Sequence, residues 1–155
     1  ALKNYSVYKK YQTEKEYFEY MSKIDNNLLA SEAKQMSLEE REAFLNKWLE
    51  EYNWETIKKE MIILSNKSLS EDNVLRYLSA SVRLEFLVAL AIKSKLTNVR
   101  VIPNYPYDDE GLPTSTAGGI GNKGDIECYE DLNGILVEVT MSEGRMQTVM
   151  EIWPI

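Results

Sequence analysis

Apolar residues recur at helical spacing through the first half of the chain. Between residues 13 and 66 the sequence is rich in Glu and Lys, and an apolar side chain returns every three or four positions, which predicts amphipathic helices. Residues 13–16 and 37–40 each fit the capping box with which many helices begin. We interpret the stripe as core or partner packing rather than as a ligand site. Its members are Leu38, Phe44, Leu45, Trp48, Leu49, Tyr52, Trp54, Ile57, Met61 and Leu64.

The most apolar predicted helix comes next, and the pattern then becomes extended. Residues 70–96 carry one apolar face, whereas residues 99–103 alternate and end at a proline, as a strand does. A long loop is predicted over residues 105–122, which hold most of the glycine and proline. Two strands follow, joined by a turn that contains the Asn133-Gly134 pair, and a helix is predicted from about Gly144.

Composition narrows the chemistry available to the chain. With 155 residues, 44% hydrophobic and 28% charged, it is an ordinary globular protein. It has neither a run of about 18 apolar residues nor the layout of a signal peptide, so we expect a cytoplasmic protein without a membrane partner. The absence of histidine and the presence of one cysteine, Cys128, exclude Ser-His-Asp and Cys-His catalysis and a Cys-based zinc site. Any catalysis by this chain must therefore use carboxylates, hydroxyls, lysines or a metal.

Net charge counts against binding to nucleic acid. Lys and Arg total 18 against 25 Asp and Glu, which gives a formal charge of −7. Such a surface repels a phosphate backbone unless its basic residues are segregated on one face.

One predicted strand carries a carboxylate among apolar neighbours. Residues 135–139 resemble a strand buried on both faces, with Glu138 inside it, and a buried carboxylate needs a cation, several hydrogen bonds or a proton. If Glu130 pairs with Ile135, then Glu127 lies opposite Glu138 and Asp125 opposite Thr140 on one face. A divalent cation such as Mg²⁺ commonly relieves such a cluster.

A plainer interpretation of the same residues stays open. Glu127 then faces solvent, Glu138 pairs with Lys123 or Arg145, and Asp125 caps the loop. Cys128 is expected to be a small core residue rather than a nucleophile, because no base accompanies it.

Several segments of the second half resemble a nuclease family. They are residues 101–104, 108–113, 117–118, 125–127 and 137–140, followed by Gln147 and Glu151 before Pro154. Together they are similar to the cleavage domain of type IIS restriction and nicking endonucleases of the AlwI group, a branch of the PD-(D/E)XK nucleases. The similarity extends over about residues 81–155, and the first seventy residues show none.

The resemblance implies a metal site. Asp125 and Glu138 would ligate Mg²⁺, which Mn²⁺ can replace, and the Val139 carbonyl would complete the protein ligands. Glu85 on the preceding helix and Glu151 on the following one match further acidic residues of the family.

Two positions depart from the family signature. Gly124 stands where the signature has proline, and Thr140 replaces its lysine. Thr140 is therefore counted with the catalytic residues, while Lys123, Gln147 and Glu151 are candidates for orienting the attacking water.

The fold class that follows is α/β, with a restriction-endonuclease-like mixed sheet core in the C-terminal part preceded by several α-helices. Residues 1–70 are expected to form a helical region, and residues 71–155 a PD-(D/E)XK-like nuclease core that is truncated at its C-terminus. The function implied is Mg²⁺-dependent cleavage of double-stranded DNA within restriction-modification. Sequence recognition would lie in another domain or subunit, because the chain has no reading motif; dimerisation is left open.

Two other functions remain as alternatives. The chain would be a non-catalytic interaction or dimerisation fragment if its charged helices, which carry Trp48 and Trp54, form an interface. A Ca²⁺-binding module at residues 108–110 is the weaker alternative, because the spacing does not match an EF-hand.

Overall fold

The computed structural model describes residues 14–118, 124–141 and 152–154. Helices come first and strands follow, so the α/β class and the order of its parts are confirmed. The elements are α1 (Glu14–Glu51), α2 (Trp54–Ser65), a short 3₁₀ turn (Leu75–Tyr77), α3 (Ala80–Lys95), β1 (Arg100–Pro103), β2 (Ile126–Glu130), β3 (Asn133–Val137) and β4 (Ile152–Pro154).

The chain divides into two compact units, Ala1–Glu39 and Glu40–Ile155. In the first, the described residues are helical and expose several large apolar side chains, Phe18, Leu29 and Met36 among them. The second contains the remaining helices and the sheet. The predicted division at residue 70 concerns where a nuclease core begins, and it stays a prediction.

One of the two helix starts predicted from capping boxes, the one at Ser37, is wrong. Ser37 lies inside α1, because the strong helix formers on both sides of it continue the helix and no glycine or proline interrupts them. Thr13, the other predicted cap, lies outside the described residues. Helix α2 begins as a cap predicts: the Asn53 side chain accepts a hydrogen bond from the Thr56 N–H at 2.9 Å.

The helix predicted over residues 70–96 is shorter in the structure. Asp72 Oδ1 accepts hydrogen bonds from the backbone N–H groups of Val74 and Leu75 and from the Tyr52 hydroxyl. These bonds favour a local turn over a continuing helix, so a 3₁₀ turn forms and α3 begins only at Ala80.

The four described strands form one sheet in the order β1-β2-β3-β4. All neighbouring pairs among them are antiparallel, whereas a mixed sheet was expected. The β2–β3 register also differs from the prediction: Glu130 pairs with Asn133 rather than with Ile135. The cause is a two-residue turn, in which Asp131 takes a left-handed conformation with φ of 51° and Gly134 becomes part of β3.

Of the predicted C-terminal helix, residues 144–151 lie outside the described residues, while residues 152–154 are β4.

The core of the second unit lies where the helices meet the sheet. Phe86 of α3 is fully buried, and its ring packs edge-on against Trp48 and Tyr52 of α1 and against Tyr105 of the loop. Ile126 and Val137 bring the sheet into the same cluster. This packing fixes α3 against the start of β2, which is where the predicted site residues lie.

Among the described strands, β1 forms one edge of the sheet, and cationic side chains bind carbonyl oxygens at its two ends. Arg41 Nη1 donates to the carbonyl oxygens of Pro103, at 2.9 Å, and of Tyr105. Lys93 Nζ donates to the Val99 carbonyl oxygen at 2.7 Å. The ends of the strand are therefore tied to α1 and α3.

Within the described ranges, no helix combines the length and the apolar character that crossing a bilayer requires.

Candidate functional site

A polar cavity of about 230 Å³ lies where α3, the long loop, the start of β2 and the segment after β3 converge. It contains four of the predicted site residues. Its lining residues are Ser81, Leu84, Glu85, Thr116, Ala117, Asp125, Val139, Thr140 and Met141.

Glu85 is the buried carboxyl group of this cavity, and only 3% of its surface is exposed. Its Oε2 accepts a hydrogen bond from the Ala117 N–H at 3.0 Å, and its carboxyl group is hydrogen-bonded to that of Asp125. Burial raises the pKa of Glu85 to about 7, and the nearby charges of Asp125 and Glu138 act in the same direction. Glu85 therefore exchanges a proton near neutral pH.

Asp125 lies directly before β2, and hydrogen bonds fix both its backbone and its side chain. Its backbone N–H donates to the Val137 carbonyl oxygen at 3.0 Å. Its side-chain Oδ2 accepts from the Val139 N–H at 2.7 Å. The carboxylate is thereby bound to the segment that carries Glu138.

The backbone conformation of Gly124 excludes the proline that the resemblance would place before Asp125. Its φ of 65° lies in the left-handed region, which a proline cannot adopt. The space beside the Gly124 Cα is also limited, because a Cβ added there would lie 3.3 Å from Leu136 Cβ and 3.4 Å from Glu138 Oε1. The backbone before Asp125 therefore approaches the Glu138 carboxylate closely.

Two expectations about the carboxylates are wrong. Glu138 is exposed, because β3 ends at Val137 and the strand does not continue around it. Glu127 pairs with Leu136, and its Oε1 accepts a hydrogen bond from the Tyr129 hydroxyl at 2.6 Å. The carboxyl groups that act on one another are Glu85, Asp125 and Glu138.

The donor atoms suit a hard divalent cation. In the described part of the chain, no three His, Cys, Asp or Glu side chains lie close enough to enclose a metal ion. The Glu85–Asp125 pair nevertheless brings two carboxyl groups to a polar cavity, with Glu138 close enough to raise the pKa of Glu85. Proteins commonly bind Mg²⁺ through one or two carboxylates while the ion keeps several water ligands, so this pair of carboxyl groups fits that ion.

The remaining predicted residues divide into two groups. Thr140 lines the cavity, and Val139 lines it as well, with its N–H as the group that contacts Asp125. The role predicted for the Val139 carbonyl stays a prediction. The other candidates, Lys123, Arg145, Gln147 and Glu151, lie outside the described residues.

Three cavity groups were not predicted from the sequence. Ser81 precedes Glu85 by four residues, and this spacing places both on one face of α3. Helical periodicity could therefore have predicted that Ser81 lies beside Glu85. Thr116 and the Ala117 N–H come from the loop, whose irregular backbone has no such periodicity.

The state of Glu85 predicts a pH effect on stability. Because folding raises its pKa from 4.5 to about 7, the stabilisation by its proton is complete below about pH 4.5 and is lost as the pH rises through 7. Glu85→Gln keeps an uncharged hydrogen-bonding group at every pH. Relative to the wild type, we expect this variant to gain about 1–2 kcal/mol in unfolding free energy between pH 5 and pH 8, allowing for solvent screening.

Urea denaturation at the two pH values measures this difference. Glu71→Gln, which changes an exposed glutamate, serves as the control and is expected to show no such gain. An equal difference between Glu85→Gln and the wild type at both pH values would contradict the prediction.

Comparison with known proteins identifies a family. A family model described as AlwI restriction endonuclease matches residues 4–155. The match includes residues 4–70, a region in which the sequence itself showed no resemblance. No curated protein and no solved structure matches the chain.

Proposed function

The chain belongs to the AlwI restriction endonuclease family, and from this membership we propose that it is a Mg²⁺-dependent endodeoxyribonuclease. The family consists of restriction endonucleases, which have DNA as their substrate. Membership of the PD-(D/E)XK superfamily, type IIS behaviour and a role as the cleavage domain are further parts of the proposal. Its main support is the cavity at which Glu85 and Asp125 meet, with Glu138 beside them.

Each carboxyl group has a proposed part in the reaction. Asp125 and Glu138, with the Val139 carbonyl, would hold Mg²⁺, and Glu85 lies next to them. Bound Mg²⁺ would lower the pKa of a water molecule and stabilise negative charge on the phosphate. Asp125 is kept in place by the Val139 N–H, while Glu85 can give up or accept a proton near neutral pH.

Hydroxyl groups supply the other polar contacts of the cavity. Ser81 and Thr116 line it from α3 and from the loop, and Thr140 lines it after β3. Hydroxyl donors of this kind suit the non-bridging oxygens of a phosphodiester, which gain negative charge during hydrolysis. The net charge of −7 argues that recognition of DNA depends on another domain or subunit.

Calorimetry with Mn²⁺ as the probe tests this function directly. We expect saturable binding to the wild-type chain, and at least about tenfold weaker binding to Glu138→Gln, because a ligand is removed. Glu127→Gln is the matched control, since Glu127 lies on the same hairpin but bonds to Tyr129 instead. A folded wild-type chain that binds no Mn²⁺, or equal binding by both variants, would contradict the proposal.

A second function is favoured by one observation. In the unit Ala1–Glu39, the helix exposes Phe18 by 57%, Leu29 by 62% and Met36 by 69%. Large apolar side chains that a helix exposes are a feature of interaction or dimerisation segments when they form one patch. Sedimentation velocity at several protein concentrations, with and without Mn²⁺, separates the two functions.

A further inference from the structure

We propose that Asn104 is a positioning residue that holds Asp125 in the orientation the carboxylate site needs. The inference rests on the proposed function for the chemistry of the site, but its geometry is independent of that function. Asn104 is half-buried, directly follows β1 and is not among the residues that line the cavity. It therefore acts through Asp125 rather than on a substrate.

Asn104 holds two consecutive residues by two hydrogen bonds. Its backbone N–H donates to the Asp125 carbonyl oxygen at 2.9 Å. Its side-chain Nδ2 donates to the Gly124 carbonyl oxygen at 3.1 Å. The Gly124 carbonyl belongs to the peptide group before Asp125, and the Asp125 carbonyl to the peptide group after it. The two bonds therefore hold the peptide groups on both sides of the Asp125 Cα.

The peptide group between Gly124 and Asp125 needs restraints from outside the Gly124 backbone. Gly124 adopts φ of 65°, and a glycine has more conformational freedom than any other residue, so its own backbone does not select this orientation. The Val137 carbonyl oxygen restrains it on one side by accepting from the Asp125 N–H. Asn104, fixed by its place directly after β1, supplies a second restraint through the Gly124 carbonyl.

The orientation of this peptide group determines the contacts of the Asp125 side chain. Asp125 Oδ2 reaches the Val139 N–H at 2.7 Å, and its carboxyl group meets that of Glu85. A rotation about the Gly124 backbone would move the Asp125 carboxylate away from both partners. Loss of the Asn104 amide is therefore expected to loosen these contacts without disturbing the Phe86 core.

Hydrogen exchange of the Val139 amide, followed by NMR, tests the positioning without any metal. In Asn104→Ala we expect this amide to exchange at least about tenfold faster, while amides of α3 keep their protection. Asn104→Asp keeps the shape of the side chain but cannot donate to the Gly124 carbonyl, so it is expected to show the same local change. Asn98→Ala, which truncates an exposed asparagine just before β1, is the control.

Mn²⁺ calorimetry on the same variants connects the positioning to the site. We expect both Asn104 variants to bind Mn²⁺ about tenfold to a hundredfold more weakly than the wild type and Asn98→Ala do. Unchanged Val139 protection in folded Asn104→Ala and Asn104→Asp would overturn the inference. So would an equal loss of protection at all amides in Asn104→Asp, because Asn104 would then have a general structural role. A wild-type chain without Mn²⁺ binding would contradict the proposed function, whereas the exchange of Val139 would still decide the positioning.

Discussion

Asp125→Asn is expected to lower DNA cleavage by the intact enzyme at least about a hundredfold while the fold is retained. Asparagine has nearly the shape of aspartate, and its amide oxygen can still accept the hydrogen bond of the Val139 N–H. The negative charge disappears, however, and with it the strongest proposed ligand for Mg²⁺. Plasmid cleavage in Mg²⁺, with circular dichroism to show that the fold is kept, measures the effect.

The control for this variant is Asp109→Asn. Asp109 is an exposed acid in the turn of the long loop, outside the cavity, so its replacement is expected to leave cleavage unchanged. Full activity of Asp125→Asn would contradict the assignment of the site.

Phe86→Ala is expected to lower the free energy of unfolding by about 3–5 kcal/mol. Phe86 is fully buried, with ring centroids 6.1 Å from Trp48 and 6.4 Å from both Tyr52 and Tyr105. Removing the ring leaves a cavity between α1, α3 and the loop, which these rigid neighbours can fill only in part. Urea denaturation monitored by tryptophan fluorescence measures the loss.

Tyr77→Ala is the matched control for a lost aromatic ring. Tyr77 is 75% exposed, so its truncation is expected to cost less than about 1 kcal/mol. If the two variants were destabilised equally, the core would not lie where the structure places it.

The helices were predictable because burial imposes a period on the sequence. The stripe through Leu45, Trp48 and Tyr52 is buried as the spacing indicates. Helix ends were harder to predict, because they depend on competition between hydrogen-bond partners. Ser37 has the sequence of a cap but lies within α1. The helix predicted to start near Asp72 begins only at Ala80, because the Asp72 carboxylate accepts hydrogen bonds in a local turn instead.

The candidate site was predictable in its residues more than in its geometry. The resemblance named Glu85, Asp125 and Glu138. The structure places Glu85 and Asp125 in the cavity, and Glu138 outside it but near enough to raise the pKa of Glu85; the roles of all three stay predictions. The strand register was wrong because the Asn133-Gly134 pair is a strong turn signal, yet the turn forms at Asp131. That two-residue difference removes Glu127 from the cluster.

The hydrogen bonds at β1 have a consequence for how the protein behaves in concentrated solution. An edge strand can pair with a strand of another molecule through its outward carbonyl and N–H groups. At β1, Arg41 and Lys93 already donate to the carbonyls of Pro103 and Val99, and proline has no N–H to offer. These groups are therefore not offered to a strand of another molecule, which makes this edge a poorer template for intermolecular β-pairing.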